Sequence, residues 1–380
     1  MTRPAAPLAG ITVLDFSTLL PGPMATLLLA EAGADVIKIE RPGTGDEMRT
    51  FEPKMDGGSI NFALLNRGKR SVATDLKDPE CRDAVLRLVE GADVLVEQFR
   101  PGVMDRLGLG YDRLKVVNPR LVYCAITGYG QTGPRANEAG HDLNYIARTG
   151  LLKLAADDNG APVVPPALIA DIAGGTYPAV MNILLALRTR DLTGEGCKLD
   201  IAMSDGLFTF MYWAMGAGHA KDRWPIPGGE LVTGGSPRYR VYRTADDRFV
   251  AAAPLEQRFW DNFCELIELP ERLRDDAIDP KATIAAVAER IATRTGDEWE
   301  RAFEGRDVCA CVAASLEDAV NDEHFVQRGL FDATVRLHDT TLPAVPVPIA
   351  PAFRGAGSER SYPALNADGK VLGLDSKDGT

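Results

Sequence analysis

The chain predicts an α/β protein: a large domain on a Rossmann-like parallel sheet, then a smaller α+β domain. Three observations carry this. Short apolar runs alternate with helix-like runs through the first half of the chain. A Pro- and Gly-rich stretch at 223–237 (RWPIPGGELVTGGSP) then breaks the pattern. Beyond it the texture changes to a hairpin followed by helices. A length of 380 residues accommodates two domains.

The elements follow in order. Residues 11–16 (ITVLDF) read as a buried strand. Residues 23–34 (PMATLLLAEAGA) read as a helix, with proline in its first turn and Gly33 near its end. Residues 35–40 (DVIKIE) form the second strand, so the unit is βαβ and the strands are parallel. Strands are predicted at 71–75, 93–99 and 121–127. A helix opens at Asp78-Pro79 and runs to about Glu90, and a short one covers 111–118. Helices at 142–148 and 172–190 precede a strand at 198–203 and a helix at 204–218. After the linker, 239–244 and 248–253 pair around Asp246-Asp247. Helices at 256–267, 283–294 and 297–303 follow, with a small β/α unit around 309–318. The Pro/Gly-dense tail, 341–380, is expected to pack back irregularly, and the loop at 44–61 is longer than a turn needs.

Composition narrows the function. The chain is 45% apolar and 25% charged with a net charge of −12, an ordinary soluble balance. No basic run appears, which argues against a nucleic-acid partner. The six cysteines form no Cys-x-x-Cys and the histidines are not grouped near them, so no metal is expected, and a reducing, cytoplasmic setting is. No run approaches eighteen apolar residues and no signal-peptide pattern is visible, so no membrane span is expected.

The first βαβ turn reads Ser17-Thr18-Leu19-Leu20-Pro21-Gly22-Pro23, without the glycines of a dinucleotide fingerprint. Cations stand near strand ends instead: Arg41, Lys77, Arg100 and Arg106. In open α/β sheets the ligand crevice lies there, and this set suits a phosphorylated nucleotide such as the ADP portion of coenzyme A. It equally suits solvated surface. The segment 128–150 (GYGQTGPRANEAGHDLNYIARTG) holds His141-Asp142, and Asp171 follows thirty residues on. An acid and an imidazole at loop–helix junctions are what a two-base proton-transfer enzyme needs. On their own they read as well as a satisfied histidine and a helix cap, and Glu256 as a favourable charge at a helix start.

Longer segments are more specific. PLAGITVLDFSTLLPGPMATLLLAEAGADVIKIERP, NRGKRSVATDL, FRPGVMDRLGLGYDRL and ITGYGQTGP resemble the family III CoA-transferase superfamily, CaiB/BaiF, along nearly the whole chain. Gly140-His141-Asp142-Leu143-Asn144-Tyr145, Asp171 with Gly174-Gly175, and the hairpin YRVYRTADDRFVAAAPLEQRFW ending near Glu256 are most similar to its α-methylacyl-CoA racemase branch. The resemblance implies an interlocked-ring homodimer. Its large CoA-binding domain spans 1–222, completed by about 336–380, and its small domain with linkers spans 223–335. It implies coenzyme A contacts at Arg41, Thr74, Leu76, Lys77, Arg100, Arg106, Gly140, Asp142 and Tyr145. Coenzyme A then enters as part of the acyl-CoA substrate, with no prosthetic group. Transferases of this superfamily use the aspartate matched by Asp171 as a covalent nucleophile. Racemases use it as a base, adding the histidine matched by His141 and the glutamate matched by Glu256. A hydrogen beside a thioester is a weak acid, so its removal needs a close base and a stabilised enolate oxygen. Inversion needs a second group to return the proton on the other face. All three racemase positions are present, so 1,1-proton transfer on a 2-methylacyl-CoA is the expected reaction, with CoA transfer as the alternative.

Overall fold

The computed structural model describes residues 6–157, 159–221, 223–354, 357 and 359–373. The expected domain edge at residue 222 and the tail beyond 373 lie outside the described residues. The chain divides into two compact units. One comprises Met1–Thr149, Pro165–Phe210 and His324–Thr380; the other comprises Gly150–Val164 and Met211–Glu323.

The first unit is built on six parallel strands: β1 (Thr12–Asp15), β2 (Asp35–Glu40), β3 (Arg70–Ala73), β4 (Val94–Glu97), β5 (Val122–Thr127) and β6 (Cys197–Ala202). Their order across the sheet is β3-β2-β1-β4-β5-β6. The chain starts in the middle, winds outward to β3, and returns to lay β4 on the other side of β1. Connections therefore diverge between β1 and β4, and a crevice opens at their carboxyl ends. Each strand forms within a few residues of its expected position; the inner strands are covered on both faces and largely apolar, whereas the edge strand β6 leaves Lys198 and Asp200 exposed. Every residue of β4 and β5 is buried.

Helix α1 (Pro21–Glu31) is apolar apart from Thr26 and Glu31 and buried at every residue, with prolines in its first turn. Helix α2 (Pro79–Glu90) starts where Asp78 accepts the Cys81 N–H at 3.0 Å. Helix α3 (Asp142–Arg148) follows the loop after β5, and α4 (Tyr177–Thr193) packs over the sheet through Ala179, Ile183, Ala186 and Leu187.

Three expectations are corrected. The segment before α4 is a π-helix over Ala170–Thr176, not the start of a plain helix at 172. Pro178 lacks an N–H and its ring would crowd the Gly174 carbonyl of an unbroken α-helix, which a wider turn relieves. Gly174 lies where a Cβ would overlap the Met203 carbonyl, so the glycine pair allows this turn to press on its neighbour. The expected helix at 204–218 is broken into Met203–Leu207, a 3₁₀ turn at Phe208–Met211, and Tyr212–Lys221. The break coincides with the passage between units at Phe210 and Met211, in an aromatic and β-branched run of modest helix propensity. The third correction concerns the tail, described below with its strands.

The second unit has an antiparallel sheet of β7 (Arg240–Arg243), β8 (Phe249–Ala252) and β9 (Ala310–Val312), with β8 central. Helices α5 (Gln257–Leu266), α6 (Pro280–Ile291) and α7 (Gly296–Phe303) bury Trp260, Phe263, Val287 and Trp299 against it. Both buried indoles are satisfied: Trp260 donates to the Arg274 carbonyl at 2.7 Å and Trp299 to that of Ile291 at 2.8 Å.

The tail is more regular than its composition suggests. In the first unit, β10 (Thr334–Leu337) pairs with β11 (Thr340–Pro343) and β12 (Glu359–Ser361). Beyond them, Asn366 and Asp368 accept the Ala73 and Ser71 N–H groups, covering the open edge of β3. The segment Ala170–Thr193 is long and apolar enough by length and composition to cross a membrane, but here it covers the sheet.

Candidate active site

Two clefts open along the carboxyl ends of the parallel strands, and Phe99, just beyond β4, lines both. The first, of about 450 Å³, is lined by Leu19, Arg100, Gly140, His141, Tyr145 and Asp171, among others. The second, of about 740 Å³, is lined by Arg41, Asp46, Thr74, Leu76 and Lys77, with Ser17 and Thr18.

The first cleft is set by the junction of α3 and the π-helix. His141 precedes α3 in extended backbone, and its N–H donates to the Asn144 side chain at 3.0 Å. This fixes the main chain and leaves the imidazole exposed at the cleft. Asp142, the next residue, is buried, and its carboxylate accepts the Asp171 backbone N–H at 3.0 Å. One hydrogen bond thus ties the start of α3 to the turn that carries Asp171. Burial pushes the Asp171 carboxyl up to about 6, with Asp142 adding to the rise and His141 opposing it. A carboxyl that titrates there can hold or release a proton near neutral pH.

Tyr145 is the back wall. Its hydroxyl donates to the Gly140 carbonyl, and its ring meets Tyr129 edge-on with centroids 5.2 Å apart. A Cβ at Gly128 or Gly140 would overlap this ring, so both glycines are needed for close packing. Burial, then Asp171, raises the phenol to about 12, keeping it a protonated donor.

The second cleft differs in kind. Arg41 and Lys77 are exposed, and Arg41 meets Glu47 at 3.4 Å on the surface. Thr74 is buried at the end of β3. The remaining expected residues lie elsewhere. Arg106 lines neither cleft; it is exposed, with its guanidinium beside Gly102, while Val103 and Leu107 of the same turn reach the second cleft. Asp142 acts from beneath the first cleft and not at its wall. Glu256 belongs to the second unit, exposed at the start of α5, where its carbonyl accepts the Trp260 N–H.

The structure also reveals a buried polar cluster beneath the second cleft that the sequence reading passed over. Lys38, in the middle of β2, is fully buried; its Nζ donates to the Ser17 carbonyl at 2.7 Å and lies 3.0 Å from Asp46 Oδ2. Lys69 donates to Asp15, Pro23, Thr26 and Asn66. Burial works against Asp15, but Lys38 and Lys69 hold its carboxyl well below the ordinary range; burial takes Lys69 down to about 8. Glu97, at the end of β4, accepts the Phe99 N–H at 2.7 Å, and burial raises it to about 7. The missed signal was charge inside apolar strands: Asp15 in TVLD, Lys38 in DVIKIE, Glu97 in VLVE. Among the described residues, no group of three or more His, Cys, Asp or Glu side chains is placed to hold a metal ion.

Comparison with known proteins gives concordant matches. The model of CoA-transferase family III matches residues 8–369. The human α-methylacyl-CoA racemase is 34% identical over 91% of this chain and 89% of its own length. The human succinyl-CoA:glutarate CoA-transferase is 32% identical over 92% of this chain and 80% of its own. Among solved structures, a CaiB/BaiF family protein from Brucella suis superposes with a TM-score of 0.82 at 28% identity, covering 97% of this chain and 99% of that one. A hypothetical protein from Mycobacterium tuberculosis gives 0.82 at 29% identity, over 98% and 100%.

Proposed function

The chain belongs to CoA-transferase family III, and from that premise we propose that it racemises 2-methylacyl-CoA thioesters by 1,1-proton transfer. The observation that carries this reading is one cleft lined by both His141 and an Asp171 whose carboxyl titrates at about 6. One of the two removes the C2 proton and the other returns a proton to the opposite face. His141 serves one epimer as base and Asp171 the other. The barrier falls because a base of matched pKa stands beside the carbon and because donors meet the developing enolate oxygen. The exposed cations Arg41, Lys77 and Arg100, with Thr74 and Leu76, hold the coenzyme A portion, which enters as part of the substrate; no prosthetic group takes part. The working form is a homodimer, supported by the exposed apolar side chains Tyr177, Met181, Leu184 and Leu185 along α4.

The test is incubation in D₂O with (2S)- and (2R)-2-methylacyl-CoA and no acceptor acid, with C2 followed by NMR. Deuterium uptake with epimerisation is the expected result. A second reading draws support from the comparable identity of racemase and transferase relatives. In it Asp171 attacks the thioester carbonyl as a nucleophile, and CoA passes to another carboxylate. Absence of C2 exchange, with CoA transfer once an acceptor acid is supplied, would select that second reading.

A further inference from the structure

We infer that Asp46 is a positioning residue that couples the two clefts, an inference resting on their reading as one acyl-CoA site. Asp46 itself lines the second cleft, yet it is only 1% exposed. One carboxylate oxygen, Oδ1, accepts two backbone N–H groups. One comes from Met48 at 3.0 Å, in the loop that follows β2 and holds Arg41. The other comes from Leu19 at 3.2 Å, in the loop that follows β1. Leu19 lines the first cleft beside His141 and Asp171. The same carboxylate, itself in the wall of the second cleft, therefore holds a backbone amide from the Arg41 loop and one from the wall of the first cleft.

Leu19 has φ +62°, a left-handed conformation that is strained for a non-glycine residue. An N–H bond to a buried charge is a strong enough partner to hold it there. The anchor is stiff. Asp46 Oδ2 lies 3.0 Å from Lys38 Nζ, Lys38 also donates to the Ser17 carbonyl, and the Asp46 N–H donates to Glu40 Oε2 at 2.9 Å. Glu40 in turn pairs with Arg49 at 2.7 Å. Both loops are thus tied to the ends of β1 and β2 through one carboxylate. A nucleotide that orders the Arg41 loop also orders Leu19, so binding at the remote end is spent on positioning at the reacting end.

The experiment compares kcat on an acyl-CoA with kcat on the matching acyl-pantetheine thioester, which lacks the nucleotide. In Asp46→Ala the ratio of the two is expected to fall about tenfold, because nucleotide binding no longer orders Leu19. A residue that merely supports the fold lowers both values together, so a ratio within twofold of the parent overturns the inference. Should Asp46→Ala not fold, the unaltered protein decides. Saturating adenosine 3′,5′-bisphosphate is expected to slow amide hydrogen exchange across residues 17–20; exchange unchanged with the nucleotide bound overturns the coupling. Failure of that nucleotide to bind at all, measured by calorimetry, removes the acyl-CoA reading itself and the inference with it.

Discussion

The two clefts at the carboxyl edge of the sheet share Phe99 but solve opposite problems. The first places Asp171 next to a second carboxylate, Asp142, and an imidazole, where partial burial raises its carboxyl to about 6. The second presents Arg41 and Lys77 to solvent, where each gives up little hydration. Chemistry needs a group whose protonation is finely balanced, and desolvation supplies that balance. Binding a phosphorylated nucleotide needs only accessible charge. The difference predicts that changes to the titrating groups of the first cleft act on kcat and its pH dependence, and changes to the exposed cations of the second on KM and its salt dependence.

The largest expected effect tests the first half of that contrast. Asp171→Asn keeps the shape and removes the titrating group, and C2 exchange should fall by about 10³-fold or more, general acid–base contributions being of order 10²–10⁴. Retention of exchange within tenfold would move the chemistry away from this carboxyl. The same substitution should raise thermal stability at pH 8. A raised folded pKa means that ionising Asp171 opposes folding: the penalty is absent below about 3.8 and complete above about 6. The gain in Tm should therefore vanish below pH 4.

His141→Ala comes next. The expectation is loss of about 10²-fold or more in exchange from one epimer, with the other epimer's C2 proton still removed by Asp171. Equal loss from both epimers would show that the histidine acts on binding or structure and not as one of two bases.

A smaller effect sharpens the electrostatics. Asp142→Asn keeps an acceptor for the Asp171 N–H but removes the neighbouring negative charge. Asp171 should then ionise at lower pH, and the acid limb of the kcat/KM profile should shift to lower pH by a fraction of a unit to about one unit. An unmoved limb would assign it to another group, with Glu97, raised to about 7, the next candidate.

The mildest changes belong to the second cleft. Lys77→Ala should raise KM for the CoA thioester about three- to tenfold with kcat nearly constant, and should flatten the rise of KM with salt. A fall in kcat of the same size would mean that Lys77 takes part in positioning, as inferred for Asp46.

Much of the site was legible before folding because its residues sit at ends of strongly patterned elements. The strand ends put Arg41 after β2, Lys77 after β3 and Arg100 after β4, and an open parallel sheet places such ends along one edge. His141 and Asp171 were marked by residue type at loop–helix junctions. The π-helix that carries Asp171 was not legible, because Pro178 shows only that the helix must yield there, while the close seat of Gly174 on the Met203 carbonyl exists only in the folded chain. Arg106 shows the converse: on a surface turn, one helical step decides whether a cation meets the cleft or solvent.

The apolar runs and their spacing alone determined that this chain is α/β with a parallel sheet, since burial on both faces leaves few alternatives for such strands. Tertiary structure decided the rest. It buried Lys38, Asp15 and Asp46 together, brought Asp142 against the Asp171 amide, and raised one carboxyl to about 6 while holding another far down. Local sequence cannot set these values, because a charge's energy depends on the solvent it loses and on partners far along the chain, and both exist only once the chain has folded.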